Sequence, residues 1–88
     1  MQKIKQDIQI GGTLRTYRIK AGLTQEQVVT KLQLNDMDIS RSSYSQIECG
    51  TYNIRISELI ALTELFKIDF NTVFENAVEK YKTNNKLK

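Results

Sequence analysis

Proline is absent from all 88 residues of this chain, and three of its four glycines fall at Gly11, Gly12 and Gly22. Nothing therefore removes a backbone donor or fixes a φ angle, and long stretches carry no residue that disfavours a helix. A chain so poor in breakers is expected to be all-helical. About two fifths of the residues are apolar, enough for one compact domain near the lower size limit for an independent core.

The apolar spacing predicts five helices. Leu14, Tyr17, Arg18 and Ala21 recur on one face of a helix over 12–21, Ile10 extends that face, and Gly22 is placed to end it. The second helix, over 24–33, has the strongest local signal. Thr24 followed by Gln27 makes a capping box, and Leu23 with Val28 makes a hydrophobic staple. Val28 and Leu32 face the core. Residues 34–39 read as a turn. A third helix over 40–49 is capped by Ser40, stapled by Ile39 and Tyr44, and stopped by Gly50. Residues 51–55 connect it to a fourth helix over 56–66, with Leu59, Leu62, Thr63 and Phe66 inward. Asp69 caps a fifth helix reaching about 81, with a stripe of Phe70, Val73, Phe74, Ala77, Val78 and Tyr81. Residues 1–10 form an arm, helical or extended, and residues 82–88 a polar, disordered tail.

Two short capped helices in succession let the second lie in a major groove while the first crosses the phosphate backbone. In the helix over 40–49, Tyr44 and Ile47 point inward and Arg41, Ser42, Ser45 and Gln46 outward. Those four side chains suit base edges. An arginine pairs with guanine, a glutamine with adenine, and a serine with either. The only acid of that helix, Glu48, falls on its inner side. The free N–H groups at Gln25 and Arg41 are ready anion sites. Thr51, Tyr52, Asn53 and Arg55 in the connector add phosphate donors. Weighed alone, the outward set reads as a solvated helix face; its position in a doubly capped and stapled helix pair reverses that in favour of contact with DNA.

Other chemistries find little support. Cys49 is the single cysteine and there is no histidine, so an internal disulfide, a zinc site and histidine-dependent catalysis are not expected. Cys49 is expected to be inert. No metal, cofactor or small-molecule ligand is expected, and the chain is read as not an enzyme. The net charge of +3 is compatible with a polyanionic partner. No apolar run suits a membrane span or a signal peptide, so a cytoplasmic protein is expected.

Gly-Leu-Thr-Gln at 22–25, with Ile-Ser-Arg-Ser-Ser-Tyr-Ser-Gln-Ile-Glu-Cys-Gly at 39–50, resembles the phage-repressor-type helix-turn-helix family, also called the xenobiotic-response-element family. The resemblance runs from about Ile10 to Glu75. It implies an all-α, compact five-helix bundle that binds operator DNA, often as a dimer. It further implies that Gln25 contacts a phosphate and braces the recognition helix. Arg41, Ser42 and Gln46 fall at base-reading positions, with Ser40 and Ser45 close by. Asn53 and Arg55 fall in a backbone-contacting loop, and Arg18 pairs with Glu48. The chain departs from the pattern at Val29, where a small residue is usual, at Ile54, where proline is usual, and in the longer stretch 34–39.

The expected organisation is thus an arm at 1–10, a DNA-binding domain at 11–76, and a helical extension with a polar tail at 77–88. The expected function is a sequence-specific regulator of transcription, a repressor acting by occlusion, that binds double-stranded DNA as a homodimer on a palindromic site. The alternative is a protein-interaction module, such as an antitoxin or adaptor subunit, on the same fold. Ala77, Val78 and Tyr81, with Leu65, are candidates for a dimer contact, which Ile4 and Ile8 can join.

Overall fold

The structure, a computed structural model, describes residues 3–4 and 10–85. The order is β1 (Lys3–Ile4), α1 (Gly11–Lys20), α2 (Gln25–Leu34), α3 (Arg41–Cys49), β2 (Ile54–Arg55), α4 (Ile56–Phe66) and α5 (Phe70–Asn85). The five helices and their order are those expected. The arm adds an element that periodicity left open: β1 pairs antiparallel with β2, Lys3 opposite Arg55 and Ile4 opposite Ile54. Ile8 lies outside the described residues, as do the side chains of the arm before Ile10.

Local chemistry sets the helix ends. Thr24 Oγ1 accepts from the Gln27 N–H at 3.1 Å, and the Thr24 N–H donates to Gln27 Oε1 at 2.9 Å, completing the capping box. Ser40 Oγ accepts from the Ser43 N–H at 3.0 Å. Gly50 closes α3 with φ +78°, a left-handed conformation that glycine adopts without steric cost. At α4 the carboxylate of Glu58 accepts from the Arg55 N–H at 2.9 Å. Arg55 cannot accept in return, so only half of a capping box forms. Asp69 Oδ1 accepts from the Thr72 N–H at 2.8 Å at the start of α5.

Leu14, Val28, Leu32, Tyr44, Ile47 and Leu62 are buried at the centre, and each stands on the inward face its spacing predicts. Val29 is buried as well, so the larger residue is accommodated within α2's packed face. The start of α1 lies directly on the end of α3. A side-chain carbon at Gly11 would overlap the carbonyl oxygens of Ile47 and Glu48. Only glycine permits that approach.

Three expectations are corrected. Ala21 is not on the inner face; it is the exposed C-cap of α1, one residue past the helix. Phe70 is not core but 44 % exposed, because it begins α5 before that helix meets the bundle. The fifth helix continues to Asn85, so residues 82–85 are helical rather than a disordered tail. Tyr17, on the face of Leu14 as expected, is half-buried against the core, with Lys20 Nζ 5.0 Å from its ring centroid. Among the described residues, no helix is long and apolar enough to cross a membrane.

Candidate nucleic-acid interface

The turn from α2 to α3 is tighter than its length suggests. α2 continues to Leu34, and the Asn35, Asp36 and Met37 N–H groups bond back to carbonyls of its last turn. Asp36 takes φ +63°, which reverses the chain. Gln33 Nε2 then donates to the Ile39 carbonyl at 3.0 Å, tying the end of α2 to the approach of α3. Asp36 and Asp38 are exposed.

α3 is held by two other helices through Glu48. Arg18 of α1 donates to the Glu48 carboxylate from Nε at 2.7 Å and from a terminal nitrogen at 3.2 Å. The same guanidinium donates to the Leu23 carbonyl at 2.8 Å, just ahead of α2. Gln25, the first residue of α2, donates from Nε2 to Glu48 at 3.0 Å. The ion pair is nearly dry, with side-chain exposures of 12 % for Arg18 and 3 % for Glu48. Burial works against the charged carboxylate. The donors around it, Arg18 foremost with the Tyr44 hydroxyl and Gln25, outweigh that and hold Glu48 below the usual carboxylate range. The Tyr44 hydroxyl is itself buried beside this cluster without a partner in standard hydrogen-bond geometry among the described residues, and burial pushes it well above the usual phenol range.

With Tyr44, Ile47 and Glu48 turned inward, the opposite arc of α3 faces out. Arg41, Ser42 and Gln46 are exposed and Ser45 is half-exposed. At about 100° per residue, Arg41, Ser45, Cys49, Ser42 and Gln46 fill an arc of about 140°. None of the four polar side chains bonds to another described residue, so each is available to an outside partner. Cys49, a free thiol, is exposed in the middle of this arc, a placement not anticipated from its expected inertness.

The remaining predicted positions divide. Asn53 is exposed; Tyr52 and Arg55 are half-buried. Thr51 is tied to the end of α3, its N–H donating to the Gln46 carbonyl at 3.0 Å. Ser40 is exposed, but its hydroxyl is engaged in capping α3. Gln25 braces α3 through Glu48, as the resemblance implies. Two features have no sequence signal. Glu58 is fully buried as the acceptor for the Arg55 N–H. Arg55 Nε is enclosed with no hydrogen-bond partner among the described residues.

Comparison with known proteins agrees with this architecture. A family described as a helix-turn-helix domain matches residues 9–71. The fold is similar to the crystal structure of a point mutant of the restriction-modification controller protein C.Esp1396I, with a TM-score of 0.62 and 21 % sequence identity, covering 82 % of this chain and 85 % of that one. No curated protein matches the sequence at a significant level.

Proposed function

The chain belongs to the helix-turn-helix domain family, and from that premise we propose that it is a DNA-binding transcriptional regulator reading the major groove with α3. One observation carries this reading. The outward arc of α3 presents Arg41, Ser42, Ser45 and Gln46 unengaged, while the helix is locked from behind by the Arg18–Glu48–Gln25 cluster. A recognition helix needs both properties, free polar ends and a fixed bearing, because base readout depends on aligned hydrogen bonds. Every contact made from this arc is chemically a donor or a neutral group, so phosphates are not repelled. Gln25, Asn53 and Arg55 flank the arc as backbone contacts, with Ser40, Thr51 and Tyr52 beside them.

The finer reading is a sequence-specific repressor that blocks access to a palindromic operator as a homodimer. It is a binding protein and not an enzyme, and it needs no cofactor for this role.

The test is selection from a random duplex library followed by titration of the selected site. The wild-type chain should recover a defined site, and half-sites about 10 bp apart would support the dimer. Arg41→Ala should relax preference at one base pair and weaken the selected site by about 1–3 kcal/mol, with scrambled duplex affected less. Failure to enrich any sequence, with no salt-dependent duplex binding, would overturn the reading.

A further inference from the structure

The outer side of α4 is apolar where the solvent edge of a helix is ordinarily polar. Ile56 and Ile60 stand one turn apart on it and are 43 % and 40 % exposed. Ile60 lines a groove of about 400 Å³ between α4 and the end of α2 with its turn. Leu32 and Met37 lie on one wall, and Ile60, Ala61 and Leu65 on the other. Among the described residues, none from α3, from the connector 51–55 or from α5 lines it. Its filling and the reading of DNA therefore do not compete for the same side chains.

The charge around this groove has one sign. The stretches that form its walls, 32–38 and 56–66, hold Asp36, Asp38, Glu58 and Glu64 and no lysine or arginine, in a chain of net charge +3. Glu58 is buried on the Arg55 N–H, which leaves the exposed Asp36, Asp38 and Glu64 as the rim. Glu64 lines the groove itself, and Met37 also borders the shallow hollow lined by Asp36 and Asp38. Such a rim repels acidic partners and selects basic ones. The floor selects shape. A trough beside a helix receives a second helix through apolar anchors at i, i+3 or i+4, and i+7. The unbranched thioether of Met37 adapts to those anchors.

We propose that the groove between the end of α2 and α4 is a docking site for a basic amphipathic helix of a second protein. The inference goes beyond the duplex-binding reading and does not rest on it. Where both hold, the chain bridges DNA and that partner.

The experiment titrates two synthetic amphipathic peptides, each about 16 residues long, into the whole isotope-labelled chain and follows its backbone amides by NMR. The peptides share one leucine spacing and carry lysine or glutamate at their polar positions. The lysine peptide should give saturable shifts centred on Met37, Ala61 and Leu65, and should bind about tenfold or more tightly than the glutamate peptide. Ile60→Asp, a change at an exposed position, should keep the wild-type spectrum elsewhere and lose the lysine peptide. Asp38→Lys with Glu64→Lys should reverse the preference, so a loss through misfolding is distinguished from a loss of charge matching. No saturable binding, equal binding of the two peptides, or shifts centred on another face would overturn the site. So would a change of oligomeric state in Ile60→Asp, which would give the groove to a second copy of this chain. A chain that takes the lysine peptide but no duplex would overturn the regulator reading and leave the groove standing.

Discussion

The side chain that most concentrates consequences is Glu48. It accepts from Arg18 and Gln25, and so joins the first, second and third helices at one carboxylate. Glu48→Gln keeps the shape but leaves Arg18 without its counter-charge in a nearly dry site. The expected cost is about 2–3 kcal/mol, read by chemical denaturation at neutral pH. The pH dependence has a definite sign. The folded carboxylate is held below its ordinary value, so the unfolded chain takes up the proton first. The Glu48 contribution is complete above the ordinary carboxylate pKa and is lost as pH falls through the lower, folded value. The wild-type advantage over Glu48→Gln should therefore persist from neutral pH to mild acid and shrink at strongly acidic pH. An advantage that grows with acidity would contradict the assignment. The Arg18–Glu48 pair came with the family resemblance and agrees with the residues, since each falls on the inner face of its helix and neither is tolerable there alone. Gln25 as the third member came only with the family pattern. The enclosed Nε of Arg55 and the burial of Glu58 were not legible, since both depend on how α4 packs.

At the scale of elements, caps were the most readable feature. Thr24, Gln27, Ser40, Gly50 and Asp69 all act within three residues of where they stand, so their chemistry is visible in short words of sequence. The contact of α1 with α3 was not readable in this way. Gly11 and Gly12 are neighbours with the same side chain and opposite surroundings. A Cβ at Gly11 meets the carbonyls that end α3, whereas a Cβ at Gly12 meets nothing within 4 Å. Gly11→Ala should destabilise by about 1–3 kcal/mol through overpacking and displace the recognition helix, weakening DNA binding beyond its effect on stability. Gly12→Ala should be neutral or stabilising by up to about 1 kcal/mol, because alanine is the better helix former. Melting curves of the two variants, run together, decide the matter, and equal effects would sink the packing argument. The two-rung strand pair was equally hidden. Nothing in the alternation of residues 1–10 says that their partner lies fifty residues away.

The described residues span 45 × 28 × 19 Å, an elongated shape. α5 passes Val73 through the core and then outgrows the bundle it packs on. Phe74 and Ala77 remain half-buried, while Val78 and Tyr81 are 49 % and 43 % exposed. A second copy is the occupant we favour for this surface. Antiparallel packing of two α5 helices about Val78 brings Glu75 of each close to Lys82 of the other, pairing opposite charges beside the apolar stripe. Val78→Glu should shift sedimentation towards the monomer at micromolar concentration. It should also weaken binding to a palindrome by about 100-fold or more, since avidity is lost, while an isolated half-site is bound as before. Unchanged sedimentation would assign the surface to another partner, as the interaction-module alternative requires.

What this sequence settles alone is whatever acts over short distances. Five helices, their caps and the polar outer arc of α3 follow from 3.6-residue periodicity and from groups that bond within a turn. Tertiary structure decided the rest: the glycine on which two backbones meet, the strand pair that brings Lys3 to Arg55, the exposure of Phe70, and how far α5 runs beyond the core. Each of these depends on residues distant in the chain sharing one volume, and volume is assigned only when the elements pack.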